Sequence, residues 1–499
     1  MRLVRIWLVL SAVSVSALAQ TNAPEVRKFS LEDCIQSALQ KNLDLQIARY
    51  NVPLATLTLQ GSYAGYDPSF TIGGVQSYNS EPGSFDASLG TVTFGQASYD
   101  NAFNSSLGGL MPWGLSYKLS GNVSESYGNF GPNAMPFDNS SGQALVQLSQ
   151  PLLKNFWIDQ TRMNIRVAKN RIQYSELGLK LLLMQTSTTI EDAYYDLIYD
   201  QENVTVQRKA VELAEQLVVE NKKRVEVGAM APLDEQQAES QAASTEAALI
   251  AARSALAIQE NTVKQLITDE YAHWANVRIQ PSGTLTASRQ FFNLQDSWSK
   301  GMTQRPDLLQ AKLDVQKQGI TIKYNQNQLF PELDLIGSYG RNAGSLPEFE
   351  QSFGQLANGP YPTYSYGAQL TLPVANIGAR AAYKSSKVTL EQLLLTLKKL
   401  EQNIMVQIDD DIKQAESSYE QVAATRTAKE YAAAALDAEQ KKLENGKSTT
   451  YTVLQMQRDL TTARGNLIQA LDTYNKALAQ LSLDEGSTLQ RLGINVEMR

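Results

Sequence analysis

The sequence predicts a mainly α protein with β insertions, built from two copies of a long helical hairpin. Three observations predict it. First, all sixteen prolines lie at or before Pro373, and the 67 residues from Ala379 to Asn445 contain neither proline nor glycine. Such a stretch makes a helix about 100 Å long at about 1.5 Å per residue, far beyond ordinary globular helices. Second, two segments rich in glycine, serine, asparagine and aromatics, about 68–151 and 331–373, alternate apolar and polar residues. Third, the chain is written twice.

The duplication is visible in offsets. Asp44 and Asp307, Leu45 and Leu308, Pro68 and Pro331, and Gly74 and Gly337 are all 263 apart. LSQPLL from Leu148 matches LTLPVA from Leu370, each closing a β region. KRVEVG (Lys223 to Gly228) and KKLENG (Lys441 to Gly446) are 218 apart, as are Ile190 and Ile408. Each half therefore reads helix, β insertion, long helix, sharp turn, helix. The expected division is 20–290 and 291–499, with turns at about 228–232 and 446–450.

The elements follow in order. Arg2 and Arg5 precede an apolar run, Ile6 to Val15, and Ala17-Leu18-Ala19 supplies small residues before Gln20. This reads as a leader, 1–19, removed near Ala19, which takes the mature chain out of the cytoplasm. Pro53 falls inside the first helix and should kink or break it, having no amide hydrogen to donate. In the first β segment Leu115, Tyr117, Leu119 and Val123 interleave with Ser116, Lys118, Ser120 and Ser124. In the second, Tyr364, Tyr366, Leu370 and Leu372 interleave with Ser365, Gly367, Gln369 and Thr371. That is the period of a strand with one apolar and one wet face, in a membrane barrel or a soluble sandwich. Tyr99–Leu110 and Leu115–Ser126 read as an extra hairpin around Pro112 and Gly114. The first long helix is expected between Leu152 and Val227. The second carries a narrow seam, Leu390, Leu393, Leu397, Leu400, Ile404, Ile408 and Ile412, spaced for coiled-coil packing. Gly228 and Gly446, each following lysines or arginine, are helix stops.

Composition excludes several classes. The formal net charge is −7, with no basic block for nucleic acid. A single histidine, His273, argues against a histidine-based catalytic or metal site. No nucleophile–base pair, phosphate loop or metal-ligand spacing appears, so no enzyme and no cofactor is expected. The one cysteine, Cys34, allows no internal disulfide, and its LEDC context lacks a lipid-attachment signal. No segment is apolar enough for a transmembrane helix, so a membrane crossing would require a closed β-barrel. Asp409, Asp410 and Asp411 point about 100° apart on a helix and read as a solvated face. Trp113 reads equally as a membrane-interface residue or a turn anchor. Tyr194 and Tyr195 read as packing between helices.

At this point the sequence resembles the TolC-type outer-membrane factors across essentially the whole mature chain. LFPELDLIGSYG (Leu329 to Gly340), TLPVANIG (Thr371 to Gly378), SQPLLKN (Ser149 to Asn155), VGAMAPLDEQQAES (Val227 to Ser240) and NGKSTTYTVLQMQRDL (Asn445 to Leu460) carry the resemblance. It implies a homotrimer whose helical hairpins form an α-barrel tube capped by a transmembrane β-barrel. The barrel would sit in outer-membrane lipid, with the tube extending into the periplasm. The protein would be a passive conduit of a tripartite efflux or type I secretion system, not a lipoprotein. A periplasmic adaptor would dock at the turns Val227, Gly228, Ala229, Asn445, Gly446 and Lys447. An inner-membrane pump of the resistance-nodulation-division, ABC or major facilitator type would supply the energy. Residues about 269–300 and 485–499 would form an equatorial belt.

The resemblance also carries a gate. Asp234, six residues after the first turn glycine, matches an aspartate that holds such channels closed. Thr452 and Gln455 stand where many members place rings of aspartates, so the expected constriction is neutral and polar. Two strands per β insertion are implied, so the extra hairpin reads as an elaborated loop or extended hairpin, with two added barrel strands per chain as the alternative. The competing reading is a periplasmic coiled-coil scaffold or adaptor, which leaves the duplicated β segments unexplained.

Overall fold

The computed structural model describes residues 25–130, 135–346 and 349–494. The leader and its cleavage near Ala19 lie outside the described residues, as does the end of the 485–499 segment. The chain opens with β1 (Glu25–Phe29), α1 (Leu31–Lys41), α2 (Leu43–Arg49) and α3 (Asn51–Ser62). Then come β2 (Ser69–Glu81), β3 (Ser84–Asp86), β4 (Thr91–Thr93), β5 (Gln96–Leu110), β6 (Ser116–Phe130) and β7 (Met135–Pro151). The helical part follows: α4 (Gln160–Glu226), α5 (Pro232–Ile267), α6 (Tyr271–Trp274), β8 (Val277–Pro281), α7 (Leu294–Gln304) and α8 (Pro306–Asn327). The second half ends with β9 (Glu332–Leu346), α9 (Phe349–Asn358), β10 (Pro362–Thr371), α10 (Ile377–Glu444), α11 (Thr450–Asp484) and α12 (Thr488–Arg491). Among the described residues no helix is long and apolar enough to cross a membrane.

Local chemistry sets the helix boundaries. Ser30 caps α1, accepting from Asp33 N–H at 3.1 Å, while Asp33 accepts from Ser30 N–H at 3.0 Å. The first helical stretch breaks at Asn42 and again at Tyr50, and Pro53 sits in the first turn of α3, where a missing amide hydrogen costs no helical bond. The first long helix begins at Gln160, eight residues after Leu152. Asp159 accepts from Arg162 N–H at 2.7 Å and from Arg162 Nε at 2.8 Å, and so starts it. From there α4 runs 67 residues, and α10 runs 68.

The chain divides into two compact units, each holding one part of the long helices. The unit of residues 25–46, 185–292 and 411–483 is helical, with one parallel strand pair, β1 and β8. Tyr194, 3% exposed, ties α4 to that pair: its hydroxyl donates to Phe29 O and accepts from Gly283 N–H, each at 3.1 Å. Tyr194 is thus a packing residue.

The other unit holds a six-stranded antiparallel sheet, ordered β10-β9-β7-β6-β5-β2. Here the extra hairpin departs from the expected loop. β5 and β6 are full strands, paired along their length to β2 on one side and β7 on the other. The physical reason is the alternation itself. One row of cross-strand partners runs Phe70, Leu107, Leu119, Val146, Tyr339, Tyr364 through all six strands. The next row runs Ser69, Gly108, Lys118, Gln147, Ser338, Ser365 on the opposite face. At the loop end, Tyr78, Tyr99 and Tyr127 stack across β2, β5 and β6, with centroids 4.8 and 5.3 Å apart. α9 lies over the apolar face there, with Phe353 6.4 Å from Phe103 and Ser352 bonded to Ser140.

The seam of α10 is buried at Ile404, Ile408 and Ile412, the first two fully, and half-buried at the four leucines before them. α7 approaches it through Gly301. A Cβ there would meet Ile408 Cδ1 at 2.6 Å and Ile404 Cγ2 at 3.2 Å.

Candidate functional site

Each long helix ends in the same way. Gly228 follows α4 with φ 73°, and Gly446 follows α10 with φ 68°. After α4, Ala229 N–H donates to Arg224 O at 2.7 Å and Gly228 N–H to Val225 O at 3.0 Å. After α10, Lys447 N–H donates to Lys442 O at 2.8 Å and Gly446 N–H to Leu443 O at 3.1 Å. This pair of bonds satisfies the last helical carbonyls and needs one left-handed residue. A Cβ at either glycine would meet nothing within 4 Å, so backbone conformation and not space selects glycine. Val227, Gly228, Ala229, Asn445, Gly446 and Lys447 are all exposed.

The structure brings the two turns into one cluster. Asn221, fully buried on α4, donates from Nδ2 to Asp234 O at 3.2 Å and to Thr450 Oγ1 at 3.4 Å. It thereby ties α4 to the first turns of α5 and α11. Arg224 Nη1 donates to Leu443 O at 3.3 Å, placing a cation at the negative end of α10. Beneath lie Leu217, Leu436, Leu443, Val453, Leu454 and Leu460. Sequence reasoning missed Asn221, because an asparagine inside a long helix reads as a surface residue.

The gate candidates lie on the two returning helices. Asp234 is half-buried in the first turn of α5, where a carboxylate complements the helix dipole, and among the described residues its side chain meets no cation. Thr452 is half-buried, its hydroxyl 2.9 Å from Thr449 Oγ1. Gln455 is exposed. A cavity of about 830 Å³ between α5 and α11 is lined by Leu233, Gln237, Gln241, Tyr451, Leu454 and Arg458, among others. Arg458 Nε donates to Gln241 Oε1 at 2.7 Å across it.

Further along the same unit, Asp192, Asp196 and Asp200 lie on one face of α4, and Asp472 and Lys476 face them from α11. Lys476 Nζ is 3.1 Å from Asp472 Oδ2 and also pairs with Asp196. Burial, reinforced by Asp196 and opposed by Lys476, pushes Asp192 up to about 6. Burial, with the charges of Asp196 and Asp472, does the same to Asp200. The four-residue spacing on α4 was visible in the sequence; the facing residues were not.

The remaining candidates have plainer settings. His273 Nδ1 lies 2.7 Å from Glu270 Oε2 on an open surface. Asp410 is exposed, whereas Asp409 and Asp411 are half-buried, so the run is not wholly solvated. Trp113 is exposed in the turn joining β5 to β6. Cys34 is fully buried, and burial pushes its thiol up to about 12. Among the described residues no cluster of acidic, histidine or cysteine side chains is placed to hold a metal.

The family profile for outer membrane efflux proteins matches residues 114–268 and 299–484. These segments take in both long helices, both turns and both returning helices, about two thirds of the chain. This chain belongs to the outer membrane efflux protein family. Its relatives include the outer membrane efflux protein BepC of Brucella suis biovar 1, 25% identical over 362 residues, 72% of this chain and 75% of BepC. The fold is that of solved outer membrane channels. The Campylobacter jejuni CmeC channel superposes with a TM-score of 0.65 at 15% identity, covering 92% of this chain and 86% of that one. The outer membrane protein VceC of Vibrio cholerae gives 0.65 at 17% identity, covering 91% and 96%. The mainly α class with β insertions and duplicated long hairpins is thus the fold of outer-membrane channels. Family membership places this efflux protein in the outer membrane as an efflux channel.

Proposed function

We propose that three copies of this chain form a passive export duct, which docks by its helical turns to a periplasmic adaptor and, through it, an inner-membrane pump. The observation that carries the reading is the repeated stop at Gly228 and Gly446. Two exposed turns of the same local geometry, held together by Asn221 and Arg224, give each protomer two equivalent docking points. The pump, of the resistance-nodulation-division, ABC or major facilitator type, selects the cargo, small toxic molecules or a secreted protein. The apolar face of the sheet supports contact with outer-membrane lipid, which a periplasmic scaffold would have no use for.

In this reading the halves 20–290 and 291–499 are the two structural repeats, and the 269–300 and 485–499 segments form the belt. The leader is cleaved near Ala19. The chain carries no lipid anchor, a reading supported by the burial of Cys34. Asp234 latches the closed state, while Thr452 and Gln455 form a neutral polar constriction. Among the described residues the Asp234 side chain meets no cation, and in this reading its latch partner is supplied by another copy. A conformational gate opens only if the adaptor favours the open state over the closed one.

Membrane fractionation and the native mass of the detergent-extracted protein test the assembly. Outer-membrane location with three protomers is expected; a soluble monomer would overturn it. Asp234→Ala should raise single-channel conductance in planar bilayers, and unchanged conductance would remove Asp234 from the gate.

A further inference from the structure

We infer that the membrane wall closes with six strands from each chain, so that three copies make a barrel of eighteen strands. The inference rests on the trimeric reading above and adds the size of the wall. The residues between β2 and β7 form wall, not loop. β5 and β6, 15 residues each, are as long as β9 and are hydrogen-bonded on both sides. In the middle rows their side chains continue the two faces of their neighbours, with Leu145 the exception on the wet face and Arg341 on the apolar one. Leu107 and Leu119 sit mid-row among Phe70, Val146, Tyr339 and Tyr364, all of them 37–70% exposed. Ser106 and Ser120 sit mid-row on the wet face between Thr71 and Thr363. A hairpin projecting into water has no need of an apolar stripe matched to strands on both sides.

Closure follows from the edges. Among the described residues β2 and β10 end the sheet, and each leaves one row of backbone groups without a strand partner. Hydrocarbon cannot satisfy those groups, so the edges must meet strands. Six strands are too few to close alone, since membrane barrels begin at about eight. Because all five pairings are antiparallel, β2 and β10 point in opposite directions. β10 of one copy can therefore pair antiparallel with β2 of a second copy of this chain, and the pattern repeats around a ring. A wall of about eighteen strands encloses an open aqueous channel. The barrel then imposes little size selection, which falls to the constriction at the helical turns.

Labelling and ring size test the wall. In full-length protein carrying Cys34→Ser and reconstituted into vesicles, Leu107→Cys and Leu119→Cys should react with a lipid-soluble maleimide only. Ser106→Cys and Ser120→Cys should react with a water-soluble one. Equal aqueous labelling of all four would make the hairpin a loop and overturn the inference. A variant lacking 96–130 joins β2 directly to β7; if it assembles, end-on images should show a ring about 1.5-fold narrower, as diameter scales with strand number. A trimer of unchanged width overturns the eighteen-stranded wall and leaves the duct intact. A native dimer would mean twelve strands and overturns it together with the trimer, whereas a monomer sinks the duct itself.

Discussion

Single residues in the helical unit report on charge and backbone conformation. Asp192 has its carboxyl raised to about 6 by burial, so the folded protein holds that proton more tightly than the unfolded chain. The stabilising contribution is complete below the ordinary carboxylate range and is lost as pH rises toward 6. At neutral pH the charged carboxylate therefore opposes folding. Asp192→Asn should raise the melting temperature at pH 7.5, with the gain fading toward pH 4; a gain independent of pH would mean that burial of charge is not its cause. At the turn, Gly446→Ala forces a Cβ into the left-handed region at a cost of about 1 kcal/mol. Amide exchange across 442–447 should quicken about fivefold, and Gly446→Asn should do less, since asparagine tolerates that conformation. The glycines were legible in the sequence because a helix stop is local. Asn221 was not, because its partners Asp234 and Thr450 come from two other helices, the second 229 residues away.

At the scale of elements, close approach decides packing. α7 reaches α10 only because Gly301 has no side chain, with Ile408 filling the space. Gly301→Ala should destabilise by about 1–3 kcal/mol through overpacking. Trimming the obstacle with Ile408→Val in the same chain should restore part of the loss in thermal melts, and simple additivity of the two changes would argue against the contact. The long helices could be read from the sequence because nothing interrupts them; only the start of α4 was missed, since Asp159 and not composition sets it. The strands of the extra hairpin were equally legible from alternation. Their place in the sheet was not, because alternation gives the faces of a strand and says nothing of its neighbours.

For the whole molecule, duplication was the most informative signal, since it fixed the order of parts before any contact was known. The sheet order needed the structure, for one of its seams joins the two halves. β7 pairs with β9, and Gln143 meets Asn342 across 199 residues of chain. That seam has a kinetic consequence. The first four strands emerge long before the fifth and sixth, and until then β7 offers a bare edge next to an apolar face. Pairing of such high sequence separation forms slowly and leaves strand edges open to aggregation meanwhile. A chain released early, between β7 and β9, holds a sheet that cannot be completed, so the nascent protein depends on being kept unfolded until its second half arrives.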